Sequence, residues 1–145
     1  CEMCIRDRRL FVSPDYNMNR EGWHSDGFMT DDINYIWSDC IPTVFNKSDF
    51  DLTQDDKLSL AQMEEQALPQ NNVIYPDKSL LRLDQFVIHK CGEITKGTMR
   101  TFVKISISSD AYDLEGNSIN YRLDYSWKHN MRKREVDRNI PQNVK

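Results

Sequence analysis

The stretch Arg100-Thr101-Phe102-Val103-Lys104-Ile105-Ser106-Ile107-Ser108 alternates between two kinds of residue along its whole length. Successive side chains of a β-strand point to opposite faces, so Thr101, Val103, Ile105 and Ile107 share one face while Arg100, Phe102, Lys104 and Ser106 share the other. This is a strand. Outward from it toward the N-terminus, Gly92 to Gly97 reads as a loop, and Asp84-Gln85-Phe86-Val87-Ile88-His89 as an apolar strand that ends in a histidine. Leu80 to Leu83 and Val73 to Tyr75 are shorter strands around the turn Pro76-Asp77-Lys78. Thr53-Gln54-Asp55-Asp56 caps the one clear helix, along which Leu60, Met63 and Ala67 recur at helical spacing before Pro69 stops it.

Further upstream, Ile33 to Trp37 is a strand, and Arg8 to Val12 is another, closed by Ser13-Pro14-Asp15. Between them lies Trp23-His24-Ser25-Asp26-Gly27-Phe28, read as a strand that sets an imidazole and a carboxylate on one face. Downstream, Glu115 to Ser118 is a turn, and Tyr121, Leu123, Tyr125 and Trp127 line one face of a last strand. Many short strands, turns between them and one or two short helices define a mainly β sandwich or barrel.

At 145 residues the chain is one domain by length, with 39% hydrophobic and 29% charged residues. No apolar run approaches the roughly 20 residues that span a bilayer, so no membrane partner is expected. Four cysteines, Cys1, Cys4, Cys40 and Cys91, are too few for a disulfide-stapled secreted scaffold, which favours a cytoplasmic protein. The first residue is Cys1, and Cys1 to Leu10 lacks the apolar core of a signal peptide, so an upstream segment is expected. The net charge of -4 is unevenly spread: residues 128–145 hold six basic and two acidic residues, and residues 1–127 hold 13 basic and 21 acidic ones. This divides the chain into a β domain, 1–127, and a basic tail, 128–145, read as a solvated terminus.

Only three histidines occur, and two of them stand in strand-like segments with a carboxylate nearby: His24, Asp26 and His89. Two imidazoles and one carboxylate with coordination positions left open make the facial set that suits non-haem Fe(II). Arg100 follows on the next strand, and its planar guanidinium matches a carboxylate through two parallel bonds.

The order His24-x-Asp26, then His89 after 62 intervening residues, then Arg100 11 residues later, resembles the iron(II)- and 2-oxoglutarate-dependent oxygenases from about Phe11 to Ser108. The resemblance implies a double-stranded β-helix, that is, a jelly-roll barrel. It implies Fe(II) held by His24, Asp26 and His89, and 2-oxoglutarate held through its distal carboxylate by Arg100, with a hydroxyl from Tyr35 or Ser106 assisting. Trp23, Phe28, Tyr35, Trp37 and Phe102 would wall the pocket. The implied activity is hydroxylation of a C–H bond with dioxygen, coupled to conversion of 2-oxoglutarate into succinate and CO2. The main substrate is open among nucleic acid, a protein side chain and a small metabolite. Where the family often has a serine two residues after the arginine, this chain has Phe102. Two further readings fit the same residues: a cupin-like metalloprotein that does not use 2-oxoglutarate, and a non-catalytic jelly-roll binding module.

Overall fold

The structure is a computed structural model that describes residues 2–15 and 21–109, with the backbone alone of Glu2, Cys4, 114–115 and 130–133. The strands are β1 (Glu2–Val12), β2 (Ile33–Ser38), β3 (Val44–Asn46), β4 (Asn72–Ile74), β5 (Leu81–Leu83), β6 (His89–Lys90) and β7 (Thr98–Ser108). Two more, β8 (Leu114–Glu115) and β9 (Asn130–Lys133), pair with each other. The expected last strand at Tyr121 to Trp127 and most of the basic tail lie outside the described residues.

Among the described residues the protein is mainly β, with two antiparallel sheets and one α-helix. The larger sheet has the order β1-β7-β2-β5, and the smaller has the order β4-β3-β6. A bridge between His24 and His89 adds one more rung beside β6. Within the described residues the strands pair as open sheets and close no barrel. No described helix is long and apolar enough to cross a membrane.

Alternation decides which side chains lie between the sheets. Ile36 and Leu83 from the larger sheet meet Phe45 from the smaller one, with Leu81, Val87 and Phe102 packed around them. The helix α1 (Asp56–Gln66) covers the other side of the small sheet: Met63, wholly buried, packs with Trp23 and Ile88, one residue out of phase with His24 and His89. Asp55 caps this helix by accepting from the backbone N–H groups of Lys57 and Leu58. The expected stripe of Leu60, Met63 and Ala67 is the face that packs.

The polar parity of β7 is the inward one. Arg100 and Ser106 are buried at 6% and 4% exposure, while the Val103 face looks away from the small sheet, next to exposed Met3, Ile5 and Phe11 on β1. Apolar filling between the sheets comes from β2, β3 and β5, and this leaves the β1–β7 side of the interior to polar and charged groups.

Two segments differ from their expected form. Only His24 of Trp23 to Phe28 is in a bridge, and the chain then turns over Asp26 to Met29 with Gly27 at φ +74°. Thr30 closes that turn, its N–H and hydroxyl both donating to the Gly27 carbonyl. Likewise Asp84 to Ile88 is a turn, because the Asp84 carboxylate accepts the Phe86 N–H and its carbonyl accepts the Val87 N–H. His89 therefore begins a strand instead of ending one.

Candidate metal centre

The backbone joins the two histidines directly. His24 N–H donates to the His89 carbonyl at 3.0 Å and His89 N–H returns the bond at 2.8 Å, which sets their rings 4.6 Å apart, tilted by 54°. Such a closely bonded antiparallel pair leaves little freedom to either Cα. Behind it, Glu64 on α1 accepts the Trp23 N–H at 3.1 Å, and Lys90 lies over the Trp23 ring. The turn at Gly27, held by the Ser25 hydroxyl donating to the Gln85 carbonyl, brings Asp26 back over the pair. One ligand atom from each of His24, Asp26 and His89 lies within 4.8 Å of the others, the one such group among the described residues.

Each ring is oriented by a bond two residues back along the chain. His24 Nδ1 meets the Gly22 carbonyl at 3.1 Å, and His89 Nδ1 meets the Val87 carbonyl at 2.9 Å. A carbonyl only accepts, so Nδ1 carries the proton in both rings and the lone pair of a neutral ring sits on Nε2. His89 Nε2 faces Asp26 Oδ2 at 3.5 Å. A lone pair and a carboxylate oxygen so placed attract only with a proton or a metal cation between them, and carbonyl-oriented histidines are the usual support of a metal ligand set. The donor set therefore fits a divalent transition metal.

Asp26 has a second cation beside it: Lys104 Nζ lies 2.9 Å from Oδ2. Burial alone would raise the Asp26 carboxyl, but the hydrogen bond from His89 when Nε2 also carries a proton, together with the charge of Lys104, outweighs it and holds the group far below the ordinary carboxylate range. Lys104 was legible in the sequence only as a residue sharing a face with Arg100. Its contact with Asp26 needs the tertiary fold.

Arg100 is on the same inward face. Its Nε donates to the Cys40 carbonyl at 3.1 Å and its Nη2 to the Ile41 carbonyl at 3.2 Å. Ile41 sits at φ +53°, a costly conformation for a β-branched residue, and this presents the two carbonyls to the guanidinium. Two of five N–H donors are thus spent on fixing the fork, and three remain. Arg100 is near enough to Cys91, two residues beyond His89, to oppose the rise that burial imposes on that thiol.

The two expected hydroxyl partners are placed elsewhere. Tyr35 is on the opposite face of β2, paired with Ile105, and Trp37 shares that face. Ser106 does face inward, but its hydroxyl donates to Asn34 Oδ1 at 2.6 Å, and six strand residues put it roughly 20 Å from Arg100. One small carboxylate cannot touch both. Trp23 and Phe28 belong to the apolar cluster under the helix, and Phe102 is the aromatic ring beside Arg100. A groove of about 850 Å³ lies on the outer face of the small sheet, lined by Val44, Ile74 and Lys90, away from the side on which His89 points.

No family model matches the chain, and neither a curated protein nor a solved structure does.

Proposed function

We infer that the chain is an Fe(II)- and 2-oxoglutarate-dependent oxygenase, with His24, Asp26 and His89 as metal ligands and Arg100 as anchor of the co-substrate's distal carboxylate. The observation that carries this reading is the convergence of two carbonyl-oriented imidazoles and one carboxylate, with a buried arginine fork near the strand that bears His89.

The strand pairing supports a jelly-roll double-stranded β-helix. With the His24 bridge counted as a strand, eight segments follow in chain order: β1, His24, β2, β3, β4, β5, β6 and β7. The first pairs with the eighth, the second with the seventh, the third with the sixth and the fourth with the fifth. A long hairpin wound on itself gives that nesting, and its two layers are the two observed sheets.

In this account His24 and His89 contribute neutral Nε2 donors, fixed by the Gly22 and Val87 carbonyls. Asp26 contributes the anionic donor. Arg100, held by two backbone carbonyls, meets a carboxylate without having to be ordered first, so little side-chain entropy opposes binding. Bound Fe(II) would supply redox chemistry with dioxygen, turning 2-oxoglutarate into succinate and CO2 while a substrate C–H becomes C–OH. Iron-dependent formation of succinate from 2-oxoglutarate, lost in Asp26→Ala, is the expected result. Folded, iron-loaded protein that makes no more succinate than Asp26→Ala would overturn the reading.

A further inference from the structure

The charge of Lys104 is balanced by a carboxylate that a metal ion would also claim. Its ammonium lies 2.9 Å from Asp26 Oδ2, and the two side chains are only 21% and 24% exposed. The same oxygen faces His89 Nε2 and belongs to the candidate ligand set. The strand neighbours of Lys104 carry no opposite charge. Across the ladders it is opposite Arg6 on β1 and Ile36 on β2, and along its own face of β7 it stands between Phe102 and Ser106.

A divalent cation on Asp26 changes this balance. Two positive charges attract the carboxylate more strongly than the single charge of an ammonium does, so Asp26 answers the metal first. Lys104 is then left mostly buried beside a positive centre, and a buried cation without its counter-charge is unfavourable. An anion that enters the open coordination positions beside Asp26 relieves both charges at once. The stem of a lysine is flexible enough to follow such an anion over a short distance.

Arg100 stands at the other end of the same face, four residues along β7, or roughly 13 Å between Cα atoms. Its guanidinium lies over the Phe102 ring at 5.0 Å, so it leans over the residue that separates it from Lys104. Three of its N–H groups remain after the bonds to Cys40 and Ile41. Ammonium, aromatic ring and guanidinium therefore follow in order along one strand, with the ammonium at the metal end. That order matches a diacid lying lengthwise, with one carboxylate at the metal and apolar methylenes over the ring.

We propose that Lys104 is a second ligand of the co-substrate: released from Asp26 when the metal binds, it pairs with the carboxylate at the keto-acid end of 2-oxoglutarate, while Arg100 holds the distal one. The proposal rests on the oxygenase reading for the identity of the diacid. It makes binding ordered, metal before acid. It also gives Lys104 opposite effects on the two ligands, weakening the metal alone and strengthening the acid that follows.

The test is calorimetric titration of the full chain, with and without Mn(II), using 2-oxoglutarate and separately 2-oxovalerate, which keeps the keto-acid end and lacks the distal carboxylate. Wild type loaded with Mn(II) is expected to bind both acids, 2-oxoglutarate the tighter, and the metal-free chain to bind each at least tenfold more weakly. On the loaded chain Lys104→Met should lose at least tenfold for both acids while holding Mn(II) at least as tightly as wild type, and Lys104→Arg should recover most of that loss. Arg100→Gln should weaken 2-oxoglutarate and leave 2-oxovalerate within twofold. Arg82→Gln, on the face of β5 that Tyr35 shares, should match wild type. The proposal falls if loaded wild type takes neither acid, if Lys104→Met binds both as wild type does, if it loses Mn(II) and acid alike, or if its loss is confined to 2-oxoglutarate. Binding of 2-oxovalerate that needs both metal and Lys104, in a chain that makes no succinate from 2-oxoglutarate, would keep the lysine's role and sink the oxygenase reading.

Discussion

Lys104 Nζ and His89 Nε2 approach the same Asp26 oxygen, at 2.9 Å and 3.5 Å. An ammonium is therefore already seated on an oxygen of the candidate ligand set, and an arriving metal ion must share or displace it. Replacing Lys104 with Met should tighten divalent-metal binding about tenfold, equivalent to ~1.4 kcal/mol, because both the competing ion pair and the cation–metal repulsion are removed. Metal titration of the folded variant measures this. Weaker binding would show instead that Lys104 holds Asp26 in position.

Gly27 carries the turn that returns Asp26 to the histidines. At φ +74° an L side chain is strained, and a Cβ there would come 2.6 Å from Asp32 Cβ and 2.8 Å from Thr30 Oγ1. Gly27→Ala should lower stability by at least about 1 kcal/mol and weaken metal binding more than any loss of folded fraction explains. Thermal melts with and without metal separate the two effects. Unchanged metal affinity would mean that the turn does not set the position of Asp26.

Arg100→Gln tests the co-substrate anchor. Each charge-assisted bond contributes roughly 1.5–3 kcal/mol, so the Kd for 2-oxoglutarate should rise at least tenfold while metal affinity changes little. Equal loss of both would make Arg100 a structural tie between β7 and the Cys40–Ile41 carbonyls and nothing more.

Asp39 extends the β2–β7 ladder with its side chain. Its carboxylate accepts the Thr101 N–H at 2.8 Å while its own N–H donates to the Thr101 carbonyl. Burial pulls its carboxyl upward, but the Thr101 bonds prevail and hold it below the ordinary value. A depressed folded value stabilises the protein above the unfolded value of about 3.9 and is lost as pH falls through the folded one. Asp39→Asn should therefore flatten the decline of stability below about pH 4, as read from denaturant midpoints across pH. An unaltered acid limb would assign that decline to other carboxylates.

The sequence carried the strand alternation of β7, the helix with its cap, and the identities of His24, Asp26, His89 and Arg100. It did not say which face of β7 turns inward. Both parities are mixed, and the choice depends on β2, β3 and β5 already filling the apolar space. Asp26-Gly27 is a turn dipeptide, and giving it that weight would have broken the strand expected over Trp23 to Phe28. Tyr35 failed as a site residue for a reason that register alone supplies: it pairs with Ile105, on the face away from Ser106 and Arg100.

Everything in the account depends on one cation meeting His24, Asp26 and His89. Anaerobic titration with Fe(II) tests this directly, with bound iron counted after gel filtration. Wild type should bind one equivalent, and Asp26→Ala and His89→Ala, each still folded, should lose at least a hundredfold in affinity. Wild type that binds no iron, or iron binding indifferent to both substitutions, would contradict it.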